Sequence, residues 1–398
     1  MTKLLYLVHR IPYPPNKGDK IRSFHFLKAL AEEYEIYLGT FIDDSVDRQY
    51  VEALKPFCKE CFCVDLHPKL GKLKSLLGFL NGEALSLPYY RNKALQDWVD
   101  STIVAQRIDR VLIFSSPMAQ YVQDHPQLHF VADFVDVDSD KWRQYAENKS
   151  WPANWVYRRE AKKLLSFETR IADQADATLF VSEKEAQLFK GLAPSVADKI
   201  RFVSNGVDTE FFDPDLDYES PFLEGQKTIV FTGAMDYWAN VDAVVWFARQ
   251  VLPLVKKQCE GVIFYIVGSK PDKAVQQLTE NDTAVIVTGR VDDVRNYVAH
   301  ADVVVAPLRI ARGIQNKVLE AMAMARPVVV TSAAMEGIPG NSKIQVTVED
   351  TPEGFAEKVL ALLAQSFQHP LENRRYVQKD FSWKHSGQDL CHFLNCEQ

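Results

Sequence analysis

Short, unbroken apolar runs set the tightest limit on what this chain can fold into. Residues 4–9, 36–41, 61–66, 111–114, 129–132, 177–181 and 200–203 are too continuously apolar for a sheet with one wet face. The same holds for residues 228–232, 262–267, 284–287, 303–305, 328–330 and 344–348. Helix-forming segments fill most intervals, including residues 21–33, 151–174, 352–365 and 374–394. End-to-end alternation of strand and helix dictates an α/β chain with parallel sheets, because parallel neighbours need a crossover and crossover helices cover the faces.

At 398 residues the chain exceeds ordinary single-domain size. The turn-rich, acidic stretch SNGVDTEFFDPDLDYESPFLEGQ interrupts the alternation and places a boundary near Asn205. Forty-six basic against 53 acidic residues give a formal charge of −7, which argues against a nucleic-acid partner and for a small-molecule ligand. The opening MTKLLYLVHRIPYPP holds too short an apolar run for a signal peptide, and no stretch approaches membrane-spanning length. The expectation is a cytoplasmic chain whose six cysteines need not pair. Cys58, Cys61, Cys63 and His67 can be drawn as zinc ligands, but paired Cys-x2-Cys knuckles are lacking and no metal is expected.

Residues 301–331, ADVVVAPLRIARGIQNKVLEAMAMARPVVVT, read as strand, basic turn, helix and strand. Val318, Leu319, Met322 and Ala325 recur at a spacing that faces the sheet, which leaves Glu320 on another arc. Arg309, Arg312 and Lys317, with Gly313 between them, gather positive charge where the helix starts and its unpaired N–H groups already favour an anion. That suits a phosphate or diphosphate; an ordinary strand-helix-strand unit with solvated basic residues fits the same letters. Gly233, Gly268 and Gly289 with Arg290 stand at three strand ends, as one extended ligand across a sheet edge or a row of tight turns would require. Asn240 is placed to cap the helix that follows Gly233.

In the first half, the loop bearing Asn16, Lys17, Gly18 and Asp19 follows the first strand, on the edge where open parallel sheets bind ligands. Gly18 can bring backbone close to a ligand and Lys17 can meet a phosphate, or the loop is a plain connection. Asp133, Asp136, Asp138 and Asp140 crowd the end of a later strand, a pattern open to hydroxyl binding, proton management, a divalent ion or helix capping. Ser182 and Glu185 have capping-box spacing. Leu70, Leu73, Leu76, Leu77 and Leu80 share one helical face beside Lys69, Lys72 and Lys74. Either this helix covers the sheet, or it makes peripheral contact with the anionic inner face of a membrane.

FVSNGVDTEFF, GAMDYWANVDAV and LEAMAMARPVVV together resemble the motifs of retaining glycosyltransferases of family 4. PYPPNKGDKIRSFH, DFVDVDSDKWRQYA and PLRIARGIQNKVLEAMAM resemble the sugar transferases associated with PEP-CTERM/exosortase and exopolysaccharide systems. The resemblance implies the GT-B architecture: two Rossmann-like domains with parallel sheets facing a central cleft. Residues 1–205 would bind the acceptor, residues 206–372 the nucleotide-sugar donor, and residues 373–398 would return to the first domain. It implies no cofactor, a nucleoside-diphosphate sugar as substrate, and a glycan or lipid-linked acceptor.

By the same resemblance Glu320 is the later member of a Glu-x7-Glu pair and accepts hydrogen bonds from the ribose. The earlier position holds Arg312, a cation that cannot accept them and suits a phosphate instead. GAMDYWAN lacks the arginine and lysine that clamp the diphosphate in many relatives, which moves that task to Lys317 with Arg309 or Arg312. Asp136 stands for the histidine that many relatives place in the first domain, and Ala325 for a customary glycine. Catalytic roles therefore fall to Asp136, Lys317 and Arg312. A sugar-nucleotide epimerase or a non-catalytic sugar-nucleotide-binding protein of the same layout stays open as an alternative.

Overall fold

Strands buried on both faces need apolar side chains on both faces, and the chain's short apolar runs supply them in two sheets. In the computed structural model, which describes residues 1–15, 18–147, 149–311, 314–340, 344–365 and 370–395, every one of those runs contains a strand. The first sheet holds β1 (Thr2–Val8), β2 (Tyr34–Ile42), β3 (Glu60–Asp65), β4 (Arg110–Phe114), β5 (His129–Val135), β6 (Ala177–Phe180) and β7 (Ile200–Phe202). The second holds β8 (Lys227–Thr232), β9 (Val262–Val267), β10 (Val285–Gly289), β11 (Val303–Ala306), β12 (Val328–Val330) and β13 (Val346–Val348). Their orders are β3-β2-β1-β4-β5-β6-β7 and β10-β9-β8-β11-β12-β13, with every pairing between named strands parallel. Each sheet thus starts in the middle, winds out to one edge, returns and winds out to the other, the doubly wound pattern of nucleotide-binding folds.

The chain divides into two compact units, Met1–Asn205 with the segment from Trp383 onward, and Gly206–Ser382. In the first unit, alternate residues of β1 feed different cores: Leu5 and Leu7 pack on one face, Leu4, Tyr6 and Val8 on the other. The single last helix expected over residues 374–394 is two helices, Leu371–Asp380 and Trp383–Asn395, broken at Phe381 and Ser382. The second of them lies on helix Gly18–Leu30. Trp383 stacks on His25 at 4.7 Å, and a Cβ on Gly387 would sit 2.4 Å from that of Ala29. Helix Lys93–Gln106 has no counterpart in the sequence reading; Asn92 caps it by accepting from the Ala94 and Leu95 N–H groups.

One polar contact anchors this half. Arg22 and Asp133 are both fully buried, and the guanidinium donates to both carboxylate oxygens, Nε at 2.8 Å and Nη2 at 3.2 Å. Its Nη1 reaches the Val203 carbonyl at 2.8 Å and Asn205 Oδ1 at 2.9 Å. Helix Gly18–Leu30, β5 and the residues after β7 are thereby joined at one point. Asp133 consequently leaves the group of aspartates read as one cluster: it is a strand residue spent on structure.

In the second unit, helix Asn316–Ala323 buries Val318, Leu319 and Met322 against β11 and β12, as their spacing requires. It ends with the Ala325 N–H bonded to the Met322 carbonyl and the Arg326 N–H to that of Ala321, with Ala325 at φ 48°. This is the left-handed helix stop that glycine favours. Among the described residues no helix is long and apolar enough to cross a membrane, and no group of three or more His, Cys, Asp or Glu could hold a metal ion.

Removing only one partner of the buried pair leaves an uncompensated charge. Arg22→Met should lower unfolding free energy by roughly 3–5 kcal/mol in urea titrations, and Arg22→Met with Asp133→Leu should recover most of the loss. An Arg22→Met protein as stable as the parent would contradict this account. Ala325→Gly should raise stability by about 0.5–1 kcal/mol, since relief of the left-handed alanine exceeds the added chain entropy; a lowered urea midpoint would refute it.

Candidate functional site

The order of the second sheet reverses between β8 and β11, so a ligand belongs outside the carboxyl ends of those strands. Residues from both converge there. Just past β8, the Gly233 N–H bonds to the Val267 carbonyl at 3.0 Å, and past β9 the Gly268 N–H bonds to the Gly289 carbonyl at 3.2 Å. A Cβ on Gly268 would lie 1.7 Å from the Gly233 oxygen, so only glycine permits the two backbones to meet. A Cβ on Gly233 would lie 2.8 Å from Asn240 Nδ2, so the first glycine also makes room for that amide.

Asn240 does not cap the helix as expected. The helix is Trp238–Trp246 with Tyr237 at its cap, and Asn240 lies buried within its first turn. There its amide bridges two elements: Nδ2 donates to the Ala234 carbonyl at 2.9 Å, and Oδ1 accepts from Lys317 Nζ at 2.7 Å. Lys317 is the second residue of helix Asn316–Ala323, and its ammonium lies 4.9 Å from the centre of the Phe231 ring. Burial lowers its pKa to about 8 against the opposing charge of Glu320. Three residues on, Glu320 is half-buried, and burial raises its carboxyl to about 7 against the pull of Lys317. An ammonium and a carboxyl thus stand three residues apart near a helix start, each influencing the other's charge and each shifted towards neutrality by desolvation.

The other expected residues of this unit fall around that pair in different ways. Arg309 is exposed and grips Asp242 with two N–H groups, Nε at 2.9 Å and Nη2 on the other oxygen. Gly289 ends β10 at φ 70°, and Arg290 beside it is exposed. Arg312 and Gly313 lie outside the described residues, as does Lys17 in the first half.

In the first unit the reversal is between β1 and β4. Gly18 starts the helix after β1, and a Cβ there would meet nothing within 4 Å. Asp136 follows a backbone kink: β5 shifts register between Asp133 and Val135, Val135 has φ 70°, and the Asp136 N–H turns back to the Phe134 carbonyl at 2.9 Å. A β-branched residue in that region is rare, and such strain concentrates at functional positions. Asp136 and Asp138 share Lys141, at 2.8 and 3.1 Å, whereas Asp140 turns to Arg143 and Gln144. The four aspartates therefore form no single site.

Residues not singled out in the sequence occupy this edge as well. His9 stacks on Phe114 at 5.8 Å, and its Nε2 lies 3.4 Å from Asp19. Asp19 is also bound by Arg10 at 2.7 Å; against the upward push of burial, His9 and Arg10 hold its carboxyl well below the usual range. Glu168, fully buried and reached by Ser116 Oγ at 3.3 Å, is pushed up to about 8 by desolvation. A histidine directly after the first strand was the available signal. Glu168 gave none, being a mid-helix glutamate among several. A separate cavity of about 660 Å³ lies against helix Lys93–Gln106, with Arg91, Gln120, Tyr121 and His125 in its wall, and contains none of the candidate residues.

Residues 226–365 match the family model described as glycosyl transferases group 1. No curated protein sequence matches the chain. Among solved structures, a glycosyltransferase from Rickettsia africae ESF-5 aligns over 100% of both chains with a TM-score of 0.65 at 14% identity. Sucrose-phosphate synthase from Thermosynechococcus elongatus aligns over 98% of each chain with a TM-score of 0.67 at 15% identity. HepE from Anabaena in complex with UDP aligns over 99% of each, with a TM-score of 0.62 at 14% identity. Likeness at such identities establishes the fold alone, an α/β chain with the two parallel sheets of GT-B glycosyltransferase structures. The second unit therefore carries a glycosyl transferase group 1 domain, in a chain of GT-B fold.

Proposed function

We propose that the chain is a retaining glycosyltransferase of family 4 that moves a sugar from a nucleoside-diphosphate sugar to the hydroxyl of a glycan or lipid-linked acceptor, in exopolysaccharide or cell-surface glycan synthesis. The observation that carries the reading is Lys317, a cation fixed by Asn240 at 2.7 Å, at the first turn of a helix and outside the switch point of the sheet. A diphosphate there would meet the ammonium together with the free N–H groups of the helix start. Glu320, one turn along, would accept hydrogen bonds from ribose hydroxyls, and Arg312, Gly313 and Arg290 would complete the donor contacts.

In this mechanism the acceptor oxygen approaches C1 on the face from which the diphosphate departs. The C1–O bond to phosphate breaks as the new C1–O bond forms, and the acceptor proton passes to the departing phosphate oxygen. Configuration is retained and no protein nucleophile takes part. Lys317 and the helix start stabilise the charge that grows on the leaving group, so the route calls for no metal ion. Asp136, which follows the kink at Val135, would bind the acceptor hydroxyl.

Incubating the purified protein with a panel of nucleotide sugars, with and without acceptor extracts, tests the reading. UDP-sugars come first, since HepE from Anabaena was solved with UDP. Acceptor-dependent release of nucleoside diphosphate is expected; interconversion of sugar nucleotides without acceptor would instead establish an epimerase, and binding without turnover a non-catalytic protein. Lys317→Met removes a desolvated charge while keeping the unbranched apolar stem. It should leave folding intact and cut turnover by about a hundredfold or more; unchanged kinetics would remove Lys317 from the mechanism.

The two titrating groups predict a pH window. Lys317 is protonated below about 8 and loses its charge above it, whereas Glu320 is neutral below about 7 and becomes a better acceptor above it. Affinity for the nucleoside diphosphate, measured by calorimetry between acid and alkaline pH, should therefore be greatest between these values. The alkaline fall should vanish in Lys317→Arg, whose guanidinium stays charged. A flat profile in the parent protein would count against both assignments.

A further inference from the structure

The leucine-rich segment of the first unit is folded the opposite way from a helix that covers a sheet. Its two short helices, Pro68–Ser75 and Leu77–Leu80, rest on glycines: Gly71 and Gly78 are buried, and a Cβ on Gly71 would lie 2.7 Å from the Tyr89 ring. A Cβ on Gly78 would touch Leu85 at 3.1 Å and the Glu83 carbonyl at 3.2 Å. The leucines point outward instead. Leu70, Leu73, Leu76, Leu77 and Leu80 are all exposed, Leu73 to 65% and Leu80 to 83%. A half-turn rotation would bury them, but the close seating on glycine holds the helix where it is. A contiguous apolar face of this kind marks an interaction surface.

The surface continues onto a second element. Phe79 stacks on Trp155 at 6.0 Å, and Arg159, its guanidinium 4.7 Å from the Phe79 ring, donates to the Gly78 carbonyl at 2.6 Å and to that of Glu83 at 3.0 Å. This sets the start of helix Ala153–Gln174 beside the leucines, where Trp151 is 80% exposed and Trp155 is exposed as well. Charge selects the occupant. Residues 68–81 contain three lysines and no acidic residue, and Arg158, Lys162 and Lys163 add exposed positive charge alongside. The one carboxylate of residues 151–166, Glu160, is buried and accepts from the Leu85 and Ser86 N–H groups at 2.6 and 3.1 Å, so it neutralises nothing at the surface.

We propose that this face, Leu70, Leu73, Leu77 and Leu80 with Trp151 and Trp155, seats the protein on an anionic lipid bilayer. Apolar side chains enter the interface, tryptophans sit at headgroup depth, and the lysines meet anionic headgroups. A second copy is a poorer occupant, because a two-fold pairing of the patch would set its lysines against one another. The proposal is independent of the transferase reading, since lipid binding is measured without donor or acceptor.

The test is co-sedimentation of the full chain with phosphatidylcholine vesicles and with phosphatidylcholine/phosphatidylglycerol vesicles, alongside sedimentation velocity without lipid. The parent protein should pellet with the anionic vesicles, weakly with the neutral ones, and less as salt rises. Leu73→Glu with Leu77→Glu, both at exposed positions, should retain the parent circular dichroism and lose at least about tenfold in anionic partitioning. Lys69→Gln, Lys72→Gln and Lys74→Gln together should erase the preference for anionic vesicles. Absence of parent binding, or equal binding by the glutamate variant, would overturn the proposal. Self-association abolished by the glutamate variant, with no lipid binding, would overturn it too and assign the face to a second copy.

Discussion

The meeting of two backbones at Gly233 and Gly268 is the constraint from which the second unit's site follows. With no Cβ at either residue, the ends of β8, β9 and β10 are laced together through the Gly233 to Val267 and Gly268 to Gly289 hydrogen bonds. The chain leaving β8 is then obliged to turn over Gly233 into helix Trp238–Trp246, which carries Asn240 beneath the loop. The Asn240 amide has one side committed to Ala234 and the other to Lys317, so the position of the ammonium descends from two glycines through one amide. A cation fixed in this way has its orienting cost met before a ligand arrives, the condition under which electrostatic stabilisation acts strongly.

The same strand order is used differently in the two units. At the switch point of the first sheet the charged groups are largely satisfied among themselves: Asp19 by Arg10 and His9, Asp43 by Arg10, Asp136 and Asp138 by Lys141. At that of the second sheet, Lys317 has a neutral amide as its hydrogen-bond partner and faces Glu320 only across a desolvated gap. An edge whose charges are mutually neutralised suits uncharged hydroxyl ligands, and an edge holding a cation against a neutral partner suits an anion. That asymmetry is what the proposed transferase would require, with its acceptor in one unit and its diphosphate donor in the other.

Strands were legible because a parallel strand must be apolar on both faces, a demand that leaves an unbroken run whatever lies elsewhere in the chain. Helix Lys93–Gln106 leaves a weaker mark: Leu95, Val99 and Ile103 recur at i, i+4 and i+8 behind the Asn92 cap, a narrow apolar stripe flanked by polar residues rather than an unbroken run. Lys317 could be read from the basic character of a helix start. The aspartates could not be told apart by spacing, because what separates Asp133 from Asp136 is Arg22, a partner 111 positions away in the sequence. Asn240 illustrates a narrower limit: asparagine near a helix start suggests a cap, but the helix begins three residues earlier, with Tyr237 at its cap, which turns the expected cap into a bridge. Ala325 was recognisable as a substitution, and only its φ of 48° explains why glycine is the customary residue there.

Charge distribution gives the lipid-facing surface a further consequence. A chain of net charge −7 is repelled as a whole by an anionic bilayer, so approach succeeds only in orientations that present the lysine-bearing face first. Within about one Debye length, roughly 8 Å at physiological ionic strength, that local field outweighs the average one, and the exposed leucines can then enter the interface. Repulsion from the rest of the surface thereby serves specificity: it penalises every wrong orientation. The glycines beneath the helix complete the device. Gly71 and Gly78 fix the leucines outward before any membrane is met, so the apolar face needs no refolding when it docks.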